Sequence, residues 1–156
     1  MSISGKPNAM TESAAIVRDV RSGTVLAFDF GERRIGVAVG ELQLGVAHPL
    51  ETIDAKANDV RFARIEALVN EWQPALLLVG LPLALDGSEH AMTALARRFA
   101  LRLQGRYGIA TRLVDERLTS VEAERQVRDL GLDVRAARSK VDQLAAKLIL
   151  ESYFSQ

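Results

Sequence analysis

Short apolar runs alternate with longer amphipathic stretches along the chain. Three apolar runs come first, over residues 24–30, 34–40 and 43–53, and each predicts a β-strand. The link between the first two runs is so short that these strands must be antiparallel neighbours. Gly36 and Gly40 mark places where another backbone passes closely. Pro49 in the third run favours an edge strand or a bend.

The remaining pattern predicts two crossovers and a helical end. The elements are, in order, a helix over 58–73, a strand over 75–80, a helix over 89–105, a strand over 109–115, a helix over 119–130, a linker over 131–137 and a helix over 140–154. The expected helix caps are Asn58 or Asp59, Ser88 and Ser139. This order predicts an α/β fold with a five-stranded mixed sheet. Three strands are antiparallel, two further strands lie parallel beside the first, and helices flank the sheet.

Length and composition fit one globular domain. The chain has 156 residues, of which 48% are hydrophobic and 26% are charged, so it can bury a core without disulfide bonds. Residues 1–21 are polar and mixed, and we expect a flexible extension there, followed by a single domain over 22–156. The chain contains neither an apolar run of signal-peptide type nor a stretch that could span a membrane.

Scarce cysteine and histidine restrict the chemistry. The chain has no cysteine and only two histidines, His48 and His90. This excludes a cysteine nucleophile and thiolate-bound zinc, and it argues against a histidine-based zinc site. Any metal would therefore be bound by carboxylates, which suit Mg²⁺ or Mn²⁺. The absence of cysteine also fits a cytoplasmic protein.

Charge is balanced overall and uneven locally. The chain has 20 Lys+Arg and 20 Asp+Glu, which disfavours a strongly basic tail. Residues 97–140, however, hold 11 basic and 6 acidic residues, and ten of the basic residues are arginines. Because the guanidinium fork matches phosphate geometry, this segment favours a polyanionic partner. A solvated, arginine-rich helix surface is the alternative.

Acidic residues stand where predicted strands end. Asp29 comes near the end of the first strand and, by alternation, shares a face with Val25 and Ala27. Asp115 and Glu116 follow the last strand directly and point to opposite faces, so only one of them can join Asp29. Taken singly, these acids are also explained by a turn or by a surface ion pair.

Asp142 adds a third acid from the last predicted helix. It lies at the rim of the helix's apolar stripe, where the helix dipole alone would explain an acid in the first turn. Three acids in one pocket repel each other unless a cation joins them. One or two Mg²⁺ or Mn²⁺ ions would do so and would support hydrolysis of a phosphodiester.

Four ordered segments resemble the YqgF/RuvX family of the RNase H-like superfamily, which is described either as Holliday junction resolvases or as pre-16S ribosomal RNA nucleases. They are FDFGERRIGVAVG (28–40), VGLPLALDGSEHA (79–91), VDERLTSVEAE (114–124) and KVDQLAAKLILESYF (140–154), and the likeness extends from about residue 23 to 155. The resemblance implies an RNase H-like fold. It also implies a metal-dependent nuclease that processes the 5′ end of pre-16S ribosomal RNA in the cytoplasm.

The resemblance further implies the site residues. Asp29, Glu116 and Asp142 stand where the family has its catalytic and metal-binding acids. Glu116 takes the place that related nucleases fill from strand 4, which here ends in VGLP without a carboxylate. Candidate substrate-binding residues around this centre are Arg34, Gly80, Pro82, Asp86, Gly87, Ser88, Arg117 and Lys140.

Other functions stay open at this point. A DNA junction resolvase acting on branched DNA would use the same chemistry, and a non-catalytic nucleic-acid-binding module would keep only the fold. A nucleotide-binding role similar to that of actin-like ATPases needs two such domains, and the chain holds one. Since the sequence shows no heptad seam and no cysteine, we expect a monomer or weak homodimer that acts on structured RNA.

Overall fold

The computed structural model describes residues 20–116, 119–128 and 130–156. The strands are β1 (Thr24–Phe30), β2 (Arg34–Glu41), β3 (Val46–Asp54), β4 (Leu76–Leu81) and β5 (Ala110–Asp115), and the helices are α1 (Asn58–Trp72), α2 (Ala91–Tyr107), α3 (Thr119–Arg128) and α4 (Val134–Phe154). The strand order across the sheet is β3-β2-β1-β4-β5. β2 is antiparallel to β1 and β3, whereas β4 is parallel to β1 and β5, which confirms the predicted mixed sheet.

Alternation along β1 divides its side chains between two cores. Leu26 and Phe28 pack with the apolar residues of α1 and α2 on one face. Val25 and Ala27 pack with α4 on the other face, and α3 packs in turn against α4. Asp29 continues the alternation of Val25 and Ala27, so its side chain lies on the face that α4 covers.

β3 forms an edge of the sheet, as Pro49 predicts. The ladder between β2 and β3 shifts register where Val37 pairs with Glu51 and Ala38 pairs with Pro49. Leu50 is therefore an extra residue in β3. A proline that lacks a donor is tolerated at such an irregularity on an edge strand.

The caps predicted for α1 and α2 are both wrong. α1 follows Ala57, which makes no side-chain capping bond, so neither Asn58 nor Asp59 caps it. α2 is capped by His90, whose imidazole accepts a hydrogen bond from the backbone of the first turn. Ser88 lies in the preceding turn instead and donates to a neighbouring carboxylate. Local propensity favours each of the predicted residues, but tertiary packing sets where each helix begins.

α4 begins at Val134, six residues before its predicted start. Its cap is Asp133, whose carboxylate accepts the N–H of Ala136 at 2.8 Å, and not Ser139. The carbonyl of Ser139 instead accepts the hydroxyl of Thr52 at 2.7 Å, which ties α4 to β3. Although α4 has 21 residues, neither it nor another helix in the described ranges has the length and apolarity to cross a membrane.

Candidate active site

β1, β4 and β5 end at the same edge of the sheet because they are parallel to one another. Asp29 lies near the end of β1, Gly80 lies near the end of β4, and Glu116 directly follows β5. α4 covers this face and brings Asp142 over the neighbouring strand β2. The sheet edge and the helix therefore collect three acids from distant parts of the sequence.

The carboxyl groups of Asp29 and Glu116 are hydrogen-bonded to each other. Glu116 is only 7% exposed, and its backbone N–H donates to the carbonyl of Leu81 at 3.2 Å. Burial and then the charge of Asp29 raise the pKa of Glu116 to about 9. The pKa of Asp29 is raised to about 7. Burial is the largest cause, the hydrogen bond with Glu116 opposes the rise, and the charge of Asp142 adds to it. Without a cation, this pair therefore retains a proton near neutral pH.

Gly80 provides the space that Glu116 occupies. A Cβ atom on residue 80 would lie 2.7 Å from the side-chain carboxyl carbon of Glu116 and 2.5 Å from Cδ1 of Ile149. The carboxyl group of Glu116 thus lies above the end of β4, where the chain has no acid of its own. The sequence suggested Gly80 as a wall of the substrate groove, whereas its visible role is to admit this carboxyl group.

Gly36 brings α4 close to the sheet beside Asp29. It is the direct partner of Asp29 in the β1–β2 ladder. A Cβ atom at this position would lie 1.9 Å from the backbone oxygen of Asp142, so only glycine allows the helix backbone to approach this closely. The predicted close approach of a backbone at Gly36 is confirmed, and it places Asp142 next to Asp29.

Asp142 is held by Arg34. The Nε of Arg34 donates to Oδ2 of Asp142 at 2.7 Å, and both side chains are mostly buried. Burial raises the pKa of Asp142, while the bond and charge of Arg34 oppose that rise. Asp54 adds a nearby negative charge. The third acid is thus paired with a cationic side chain, while its charge still acts on Asp29.

The donor set fits a divalent cation on two carboxylates. Among the described residues, no three His, Asp or Glu side chains form a group that could hold a metal ion. Asp29 and Glu116 nevertheless offer the oxygen ligands that Mg²⁺ and Mn²⁺ favour, and a cation would remove the repulsion that keeps a proton between them. Arg34 donates to Oδ2 of Asp142, so the other carboxylate oxygen could serve as a third ligand.

The loop between β4 and α2 is organised by its own turn. Both the N–H and the hydroxyl of Ser88 donate to Oδ1 of Asp86, at 2.9 and 2.6 Å. Gly87 adopts a φ of 88°, which favours glycine. The carbonyl of Pro82 accepts the hydroxyl of Thr93 and anchors the loop to α2. Turn formation accounts for these residues, and their contact with substrate stays a prediction.

The last two predicted substrate-binding residues are Lys140 and Arg117. Lys140 is partly buried on α4, two residues before Asp142. Arg117 lies outside the described residues. The sequence analysis did not predict how Glu116 reaches the centre, although a signal exists. The penultimate residue of β4 is a glycine, and a glycine next to an acidic site leaves space for a carboxylate from another strand.

Comparison with known proteins agrees with this geometry. A family model described as RuvX, Holliday junction resolvase, matches residues 23–156. A protein of Methylobacillus flagellatus, named as a candidate pre-16S rRNA nuclease, is 57% identical over 145 residues, which cover 93% of this chain and 97% of that protein. A protein of Chromobacterium violaceum with the same name is 54% identical over 132 residues, covering 84% and 96%.

A solved structure of Thermus thermophilus RuvC, in complex with a Holliday junction substrate, has a TM-score of 0.51 with 16% identity. The match covers 85% of this chain and 93% of that one. At this identity the likeness shows a shared fold, and it confirms the RNase H-like architecture expected from the sequence.

Proposed function

Because this chain belongs to the RuvX family, we propose that it is a nuclease that hydrolyses phosphodiester bonds at the site formed by Asp29, Glu116 and Asp142. The observation that carries this proposal is the buried, hydrogen-bonded pair of Asp29 and Glu116 at the end of the parallel strands. Two carboxyl groups with raised pKa values in contact form a costly arrangement, and it is explained if a cation replaces the shared proton.

In the proposed mechanism, Asp29 and Glu116 would hold Mg²⁺ or Mn²⁺, and Asp142 would supply a third carboxylate. When bound, the cation supplies positive charge to the phosphate oxygens and acidifies a water molecule. Glu116 would have to be deprotonated to hold the cation. The Nε of Arg34 donates to Asp142, and the other N–H groups of its guanidinium can pair with a phosphate oxygen of the substrate.

The proposed substrate is the 5′ end of pre-16S ribosomal RNA, because close relatives carry the name of that activity over almost their full length. Such a nuclease would act in the cytoplasm. We assign the activity to one domain over residues 22–156 and treat residues 1–21 as an extension. One site is enough to trim an RNA end, so the proposed form is a monomer or weak homodimer.

Junction resolution is the second candidate, since the matching family model carries that description. A resolvase must cut two strands symmetrically, which requires two sites in a two-fold dimer. The two candidates therefore differ in both substrate and oligomeric state.

An experiment that discriminates between the two candidates measures cleavage of a pre-16S leader RNA and of a four-way DNA junction. Both substrates are tested at one salt concentration, with Mn²⁺ or with excess chelator. We expect metal-dependent cleavage of the RNA by a protein that sediments as a monomer or weak dimer in analytical ultracentrifugation. A tight dimer that nicks the junction in symmetric pairs would establish the resolvase instead. Binding without any cleavage would leave only a nucleic-acid-binding module.

A further inference from the structure

Two cavities open side by side next to Asp142. One cavity, of about 780 Å³, lies between α3 and α4. The other, of about 440 Å³, lies between the first turns of α4, the start of β2 and the end of β3. Arg34, Val134 and Arg138 line both of them. The two cavities are therefore adjacent, and we call them together the arginine groove; Asp142 lines the larger one.

Cationic side chains dominate the rim of the arginine groove. Its charged residues are Arg33, Arg34, Arg128, Arg135 and Arg138 against Asp54, Glu124 and Asp142. Asp142 is already neutralised by Arg34. The other four arginines are exposed, and among the described ion pairs none involves them. Four guanidinium groups are thus available to phosphates that pass along the groove.

The floor of the groove is aliphatic. It is formed by Val127, Leu132, Val134, Ala137 and Val141. Leu132 and Val134 are 44% and 68% exposed, and such large exposed apolar side chains beside a cationic rim suit a ligand that is both anionic and apolar. Phosphate alone would gain nothing from this floor.

Unpaired RNA meets both requirements. In a duplex the bases are stacked inside and only the phosphates and sugar edges are presented. An unpaired strand can place its phosphates on the arginines and rest the face of a base on the aliphatic floor. The charge and the apolar surface of the groove therefore complement a single strand better than a helix.

We propose that the arginine groove binds an unpaired segment of the RNA substrate and leads it to the acidic site. This assignment rests on the proposed nuclease function and specifies its substrate as single-stranded next to the bond that is cut. Arg135 and Arg138 hold phosphates, and Val134 contacts a base. None of these residues is part of the carboxylate centre.

Fluorescence anisotropy tests the groove without cleavage. Wild-type protein in EDTA is titrated with a labelled single-stranded RNA of about ten nucleotides, and with the same strand in a blunt duplex, over a series of salt concentrations. We expect tighter binding of the single strand. The double variant Arg135→Ala/Arg138→Ala should bind it at least about tenfold more weakly, with the slope of log K against log salt reduced by about 1.4, because two phosphate contacts are lost.

A second variant separates base contact from charge. Val134→Ser should weaken binding of the single strand about fivefold through lost apolar contact and leave the salt slope unchanged. The matched control is Arg102→Ala, since Arg102 is exposed on α2 and lines a cavity on the opposite face of the sheet. It should bind like wild type. Circular dichroism checks that each variant is folded.

Equal affinity for duplex and single strand, or wild-type binding by the double variant, would overturn the groove assignment. If the wild-type protein still cleaves leader RNA in that case, the proposed nuclease function stands and only the groove is wrong. If the wild-type protein neither binds nor cleaves RNA, both proposals are wrong.

Discussion

The carboxyl group of Glu116 occupies a space that exists only because residue 80 has no side chain. Gly36 likewise leaves room for the backbone of Asp142, on the other side of Asp29. Missing side chains on the two strands that flank β1 thus let Glu116 and the backbone of Asp142 approach Asp29. The geometry of the site depends on these glycines as much as on the acids.

Substitution of Gly80 tests this dependence. Gly80→Ala places a methyl group 2.5 Å from Cδ1 of Ile149 and 2.7 Å from the carboxyl carbon of Glu116, so we expect the carboxyl group to be displaced from its place beside Asp29. We expect cleavage to fall at least about tenfold, with a loss of about 1–3 kcal/mol in the free energy of unfolding from overpacking. Rates of RNA cleavage and urea unfolding measure the two effects.

Gly105→Ala is the matched control for this substitution. A Cβ atom at residue 105 meets nothing within 4 Å, and the residue lies inside α2. Alanine there should stabilise the helix by about 0.5–1 kcal/mol and leave cleavage unchanged. Equal effects of the two alanines on cleavage would contradict the role given to Gly80.

The raised pKa of Glu116 predicts how stability depends on pH. Its pKa is 4.5 ordinarily and about 9 in the fold, so between these values the folded protein binds more protons than the unfolded chain. Stability without metal therefore falls as the pH rises through this range. Glu116→Gln removes the titrating group and keeps a hydrogen-bonding side chain next to Asp29. Its melting temperature in EDTA should exceed that of wild type by several degrees at pH 8, and the difference should shrink toward pH 4.

Glu122→Gln serves as the control for the pH series. Glu122, which is partly exposed on α3, has its pKa lowered by its hydrogen bonds to Arg125 and Gln126, so its replacement should not raise stability at pH 8. A Glu116→Gln variant that is less stable than wild type at pH 8, without metal, would contradict the strained pair.

Alternation along strands could predict part of this site and not the rest. It places Asp29 on the face of Val25 and Ala27, and it separates Asp115 from Glu116. It does not say which of the two acids shares the face of Asp29, because that depends on how β5 aligns with β4. The burial of Val114 in the core under α4 resolves the choice in favour of Glu116.

Among the helix boundaries, the start of α4 matters most for the proposed arginine groove. Arg135 and Arg138 belong to its first turns, whereas the sequence pattern places Arg135 in a linker and Arg138 before the helix. These turns bury little apolar surface, so the hydrophobic period that reveals the rest of α4 is absent from them. Asp133 and Ser139 are both good capping residues, and the sequence alone does not decide between them.

Loss of the cap should destabilise this part of α4. Asp133→Ala removes the acceptor for the N–H of Ala136 and should lower the free energy of unfolding by about 0.5–2 kcal/mol. Asp133→Ser keeps an acceptor and should retain most of the stability. Urea unfolding of both variants compares them. Equal losses in the alanine and serine variants would show that the capping bond contributes nothing.

At the scale of the whole molecule, the order of elements determines where chemistry is possible. Two crossovers make β1, β4 and β5 parallel, and parallel strands deliver their carboxyl ends to one edge of a sheet. This much follows from the sequence, since the apolar pattern predicts both the strands and the connections. The packing distance between α4 and the sheet does not follow, because it depends on the tertiary contacts at Gly36 and Gly80.

One measurement tests most directly whether the buried carboxyl pair is the catalytic centre. It compares the rates at which wild type, Asp29→Asn and Glu116→Gln cleave a 5′-labelled pre-16S leader RNA at saturating Mn²⁺. Both variants should remain folded and lose at least about a thousandfold in rate, which corresponds to about 4 kcal/mol in the barrier. Asp59→Asn, an exposed acid on α1, should cleave like wild type. Cleavage at the wild-type rate by either site variant, or by wild-type protein in excess chelator, would contradict the assignment of the centre.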